Sequence, residues 1–90
     1  MPETSTNAIR IWLTGRVASY MERSVDDIDP DALLVEIGID SMYLLTICGD
    51  IEDNFGYYLE PAIMMDHPTI IAVARYLNAE LNADVAGPRP

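Results

Sequence analysis

Lysine is absent from this 90-residue chain, so arginine supplies all five positive charges against fifteen Asp and Glu. The formal net charge is −10. Charge-driven binding to nucleic acid or to an anionic membrane is excluded by that balance, and basic partner surfaces are its expected complement. Cysteine occurs once, as Cys48, and histidine once, as His67. An internal disulfide is therefore impossible, and a Cys/His metal cluster is excluded too. No apolar run approaches the length of a membrane span, and no signal-peptide pattern opens the chain. A cytoplasmic monomer is the expectation. Strand-type alternation is also missing, which leaves helices as the only regular structure to look for.

What is present is apolar residue in quantity. Half of the chain is hydrophobic, too much for a disordered polymer and enough for one small, economical core. The expected architecture is all-α: a four-helix bundle of three longer helices and one short one, with a long first loop. Residues 1–6 read as a frayed arm, 7–82 as the domain, and 83–90, rich in Pro and Gly, as a flexible tail or linker stub.

Ile9, Trp12, Leu13, Val17 and Tyr20 or Met21 recur at helical spacing, predicting a helix over 7–22 capped by Thr6 or Asn7. Trp12 belongs to the core or its edge. Asp29-Pro30-Asp31 interrupts any helix in the connection that follows. Five apolar residues there, Val25, Ile28, Leu33, Leu34 and Ile37, predict a loop packed across the helix ends, with a helical turn over 32–36. A second helix over 41–55 buries Leu44, Ile47, Cys48, Ile51 and Phe55, with Leu45 at the border. Cys48 is expected to act as a small hydrophobe. The opposite face shows Met42, Tyr43, Thr46, Gly49, Asp50 and Asp53. Gly56 ends this helix as a left-handed cap. Tyr57 and Tyr58 either flank a substrate path or plug the core edge. Pro61 opens a short third helix to about Asp66. Thr69 caps the fourth, whose apolar face is Ile70, Ile71, Val73, Ala74, Leu77 and Leu81. His67 has no partner motif for catalysis and is expected in a structural turn.

The chain is organised around Gly38, Ile39, Asp40, Ser41 and Met42. Asp40 is the natural N-cap of the second helix, and Gly38 permits the reversal that aims it. Ser41 then takes the first helical position with its hydroxyl in solvent. Free N–H groups and a partial positive charge at a helix start suit an attached phosphate.

A lone Asp-Ser is a weak signal. Here GIDSM is followed by EDNFG, with Phe55 and Gly56 fourteen and fifteen residues after Ser41, and then by DHPTI. Over residues 17 to 80 the chain resembles the acyl carrier protein family, in particular carriers of polyketide synthases, whose usual pattern reads LGLDSL, EEEFG and FDHPT. The resemblance implies that Ser41 carries a 4'-phosphopantetheine arm, loaded with acyl groups as thioesters, and that Asp40 belongs to this site. It implies non-catalytic work. It also makes the second helix a docking element for partners. Those would be a phosphopantetheinyl transferase and an acyltransferase, ketosynthase or adenylating enzyme with basic docking surfaces. Met42 and Tyr43 would be apolar anchors beside Thr46. Asp50 and Asp53 would be acidic contacts, in a cluster with Glu52 that lacks a basic partner one turn away. The family commonly has Phe near Met65, where methionine would give a softer pocket lip.

Two other expectations stand beside this one. Peptidyl carriers usually show Gly-Gly-Asp-Ser, and this chain has Ile39 before Asp40. An unmodified acidic interaction module would share the charge and the helices but would tolerate loss of Ser41. A hydrolase using Ser41 and His67 is disfavoured, because the second glycine and the preceding strand of a nucleophile elbow are missing.

Overall fold

A computed structural model describes the backbone of residues 5–86 and the side chains of residues 5–82. Three long helices dominate: α1 (Thr6–Met21), α3 (Ser41–Phe55) and α5 (Ile70–Ala86). Two short ones join them, the single turn α2 (Leu34–Ile37) and α4 (Pro61–Asp66). The described residues contain no strand beyond one isolated bridge between Leu33 and Thr69.

Helix α1 starts one residue earlier than expected. Ser5 is its N-cap, accepting the Ala8 N–H at 3.0 Å. Ser5, Thr6 and Asn7 are all good caps, and spacing alone does not choose among them. Asn7 lies inside the helix and accepts from Arg10 at 2.6 Å. Ile9, Leu13, Val17 and Ala18 are buried along one stripe of α1. They meet Ile47 and Ile51 of α3 and Ile70, Val73, Ala74 and Leu77 of α5 in a single core. Burying each of the Ile, Leu and Val side chains among them is worth about 1.5–3 kcal/mol. Trp12 sits at the core edge, edge-on to Phe55 with centroids 5.1 Å apart.

The long connection is stitched down, as its apolar content predicts, but by fewer anchors. Ile28 and Leu34 are buried, whereas Val25 and Leu33 are exposed. Val25 opens a 3-10 turn (Val25–Asp27), capped by Ser24, that leaves its side chain outside. Leu33 contributes its backbone to the bridge with Thr69. The Leu34 N–H donates to the Pro68 carbonyl at 2.8 Å, and the Ile71 N–H to Pro30 at 3.1 Å. Thr69 caps α5 as expected, accepting from the Ala72 N–H at 3.1 Å. The start of α5 thus fills part of its free-donor set from the loop. The helical turn sits at Leu34–Ile37, shifted from 32–36, because Ala32 instead closes the Asp29 turn, its N–H donating to the Asp29 carbonyl at 3.0 Å.

Helix α5 continues to Ala86, four residues past the expected end at 82. The expectations for residues 1–4 and 87–90 lie outside the described residues. The boundaries of α3 and α4 coincide with those read from sequence.

Candidate functional site

The loop before α3 is shaped by Gly38, which closes α2 in the left-handed region at φ 115°. A side chain there would be strained, and a Cβ would stand 3.2 Å from the Met21 sulfur. Ile39 then turns inward and is buried. Asp40, in extended backbone, accepts the Tyr43 N–H on Oδ1 at 3.1 Å, while its carbonyl takes the Leu44 N–H at 2.9 Å. It is the side-chain cap that the sequence calls for. Ser41 follows as the first residue of α3, exposed. The N–H groups of the first turn lie outside the helix's own ladder and carry its partial positive charge.

Beside Ser41 lies a hollow of about 360 Å³, with a lining that is almost entirely apolar apart from Asp40 and Ser41. Leu34, Val35 and Ile39 come from α2 and its exit, Leu44 from α3, Met64 and Met65 from α4, and Pro68 from the turn before α5. Met65 stands 73% exposed, at the position expected for a lip. The lining residues other than Ser41, Asp40 and Met65 were not singled out as site residues from sequence. The only hint is the surplus of apolar residues in the loop, since four distant segments must fold together to make the hollow.

The face of α3 differs from the expected one. Met42 is 77% exposed and Leu45, placed at the buried border by sequence, is 60% exposed. Thr46 and Asp53 are exposed too, although the Thr46 hydroxyl is engaged with the Met42 carbonyl at 3.0 Å. Tyr43 and Asp50 are half-buried against α1. Asp50 therefore does not belong to an unpaired acidic cluster: Arg16 donates to its Oδ2 from two nitrogens, at 3.1 and 3.3 Å, and the Tyr20 hydroxyl donates to the same oxygen. The basic partner comes from another helix, where an i,i+4 count cannot find it. The exposed strip of α3 is Met42, Leu45, Thr46, Gly49, Glu52 and Asp53.

The sequence that builds this site matches a known family. The profile described as phosphopantetheine attachment site aligns with residues 12–77, most of the chain. The chain belongs to that family. Among solved structures, the carrier is similar to a free-standing peptidyl carrier protein from Acinetobacter baumannii, at a TM-score of 0.84 and 35% identity, covering 88% of this chain and 99% of that one. It is also similar to the acyl carrier protein LipD from Actinoplanes friuliensis, at a TM-score of 0.72 and 36% identity, covering 92% and 97%. Among curated proteins it is 31% identical over 71 residues to a phenolphthiocerol/phthiocerol polyketide synthase of Mycobacterium tuberculosis, covering 79% of this chain. The chain spans only 4% of that synthase's length.

The prosthetic group of this family is 4'-phosphopantetheine, and the residues present fit it. An exposed hydroxyl is required for a phosphodiester, and Ser41 offers one at a donor-rich helix start. An apolar hollow lies alongside.

Cys48, His67, Tyr57 and Tyr58 do not line the hollow at Ser41. Cys48 is buried with its sulfur 3.6 Å from that of Met64, and burial pushes its thiol up. His67 closes α4 and lies 4.9 Å from the Tyr76 ring. Tyr57 takes the core-edge alternative, half-buried, with its hydroxyl donating to Glu80 at 2.9 Å. Tyr58 is exposed, and neither tyrosine lines the hollow at Ser41. No helix among the described residues is long and apolar enough to cross a membrane.

Proposed function

We propose that Ser41 is the attachment point of the 4'-phosphopantetheine arm and that this chain carries acyl groups in a polyketide-type assembly. The observation that supports this most directly is the exposed Ser41 hydroxyl at the first position of α3, with Asp40 engaged as the cap beneath it. Attachment is a phosphoryl transfer. The Ser41 oxygen bonds to a phosphorus of coenzyme A, the pyrophosphate linkage breaks, and 3',5'-ADP leaves. The hydroxyl proton passes to a base of the transferase. When bound, the arm supplies a thiol that holds the acyl carbon as an electrophilic thioester. The domain itself contributes placement: tethering raises the effective concentration of the acyl group at each partner's active site.

The partners are a phosphopantetheinyl transferase and an acyltransferase, ketosynthase or adenylating enzyme. Their docking surface combines an apolar pocket for Met42, Leu45 and Met65 with basic side chains for Glu52 and Asp53. Flexible methionines suit a surface read by several enzymes. Tyr43 and Asp50 support this strip from the α1 side rather than contacting partners.

The test is intact mass after incubation with coenzyme A and a transferase of broad specificity, with Ser41→Ala in parallel. A gain of one phosphopantetheine on the wild type alone supports the reading. An unchanged mass on a folded, helical sample sinks it and leaves an unmodified acidic interaction module as the better account.

A second reading, an aminoacyl or peptidyl carrier, is favoured by the near full-length similarity to a free-standing peptidyl carrier. The mass of the arm ejected from protein isolated from its producing cells separates the two. An amino acid on the thiol selects the peptidyl reading, and a nitrogen-free acyl chain selects the polyketide one.

A further inference from the structure

The end of α1 grips the chain on both sides of Ser41. Two residues after Ser41, the Tyr43 ring leans on Tyr20 of α1, with centroids 5.9 Å apart at 39°. The Tyr20 hydroxyl donates to Asp50, two turns further along α3 on the same side. Arg16, one turn before Tyr20, donates to that carboxylate, donates to the Tyr20 hydroxyl at 3.0 Å and lies over the Tyr20 ring at 5.4 Å. Three residues before Ser41, Gly38 lies against Met21, the neighbour of Tyr20. Tyr20 and Met21 thus form a platform under the attachment turn.

We infer that Tyr20 is a positioning residue for the modification of Ser41: held by Arg16 and Asp50, its ring fixes Tyr43 and with it the first turn of α3. The inference rests on Ser41 being the attachment point. The first turn of a helix is its loosest part, and the Asp40 cap ties it only to itself. Leu44 ties that turn to the core from one side, and the Tyr20–Tyr43 contact ties it to α1 from the other. Burial and the bond to Asp50 push the Tyr20 hydroxyl up, so it remains a donor at neutral pH. A transferase must align the Ser41 oxygen with the phosphorus it attacks, and a wandering nucleophile loses turnover rather than docking.

The experiment is steady-state modification by a broad transferase with coenzyme A, read by intact mass, well below each variant's melting temperature. The variants are Tyr20→Ala, Tyr43→Ala, the double variant and Tyr20→Phe. Tyr20→Ala and Tyr43→Ala are expected to lower kcat about ten-fold while KM for the carrier moves by less than about two-fold. The double variant is expected to lose no more than either single one, because both remove the same contact. Tyr20→Phe keeps the ring but loses the hydroxyl's bonds to Arg16 and Asp50, so its kcat is expected to fall between the wild type and Tyr20→Ala. A kcat equal to the wild type overturns the part assigned to that hold. Unchanged kcat in Tyr20→Ala, losses that multiply in the double variant, or a loss confined to KM each overturn the inference. Should Tyr20→Ala fail to fold by circular dichroism, Tyr43→Ala and Tyr20→Phe carry the comparison. An unmodified wild type overturns the attachment reading itself, which no variant result imitates.

Discussion

Asp50 and Asp53 both look like docking acids in the sequence, and the structure separates their roles sharply enough to measure. Asp50→Ala removes the acceptor of Arg16 and of the Tyr20 hydroxyl. The side chains of Arg16 and Asp50 are 40% and 22% exposed, so water reaches the guanidinium and the ion pair itself is held to the surface scale, about 0.5 kcal/mol. The hydroxyl–carboxylate bond is less easily replaced, and a bond to a charged group contributes about 1.5 kcal/mol. Alanine recovers about 0.5 kcal/mol through helix propensity. The net loss is about 1.5 kcal/mol, which for a domain of this size lowers Tm by roughly 6–12 °C. Asp53 is exposed in the same helix, and Asp53→Ala should stay within about 0.5 kcal/mol of the wild type. Urea and thermal melts followed by helical circular dichroism measure both. Tyr20→Phe combined with Asp50→Ala should cost no more than Asp50→Ala alone. Equal midpoints for Asp50→Ala and Asp53→Ala would refute the reasoning. In modification assays the two act on different constants, Asp50 through kcat and Asp53 through KM. Asp53→Lys raises the transferase KM at unchanged stability, and the effect fades with added salt.

Gly38→Ala should destabilise by about 1–2 kcal/mol, since φ 115° and the nearby Met21 sulfur both oppose a Cβ, whereas Gly15→Ala, in open space within α1, should stabilise by about 0.5–1 kcal/mol. Melting both variants side by side checks the pair, and the same sign for both would count against it. Tyr57 has its hydroxyl pushed up by burial first, with hydrogen bonding to Tyr76 and Glu80 adding to it. The folded state holds that proton more tightly than the unfolded chain. Its contribution is fully present below about pH 10, the ordinary tyrosine value, and is lost as pH rises further. Tyr57→Phe should flatten that alkaline decline in urea midpoints, and an unchanged slope would assign the decline to other groups.

Elements with sharp punctuation were legible in the sequence. Asp40, Gly56 and Pro61 each admit one local role, and α3 and α4 begin and end where these residues put them. Where several residues serve equally the reading missed: Thr6 or Asn7 was expected to cap α1, and Ser5, an equally good cap, takes the position. Ser41 and its cap were legible because capping is a contact across three residues. The hollow was not, because four segments meet there and no spacing rule encodes their meeting. The orientation of α3 failed for a related reason. A helical wheel finds the apolar stripe, but α3 is also touched from the side by α1. That contact takes Tyr43 and Asp50 out of the polar face and leaves Leu45 in it. Arg16 and Asp50 are 34 positions apart, beyond any periodicity argument.

The interior and the exterior of this bundle divide the work between them. The void bounded by Leu13, Val17, Ile47, Met64 and their neighbours holds about 10 Å³, at the lower limit for a single water. The hollow outside Ser41 is about 360 Å³, and Leu34 and Met64 line both. A chain arriving from Ser41 therefore meets the surface hollow first, and a wall of two side chains stands between it and the core. Admitting even one methylene would mean displacing Met64, whose sulfur contacts Cys48, in a core already at close packing. If Ser41 bears the loaded arm, its cargo is expected to stay outside the core, and melting of the holo protein should not change with what is loaded. Substitutions in the core should then change melting without altering transfer, and those along Met42, Leu45 and Asp53 should do the reverse.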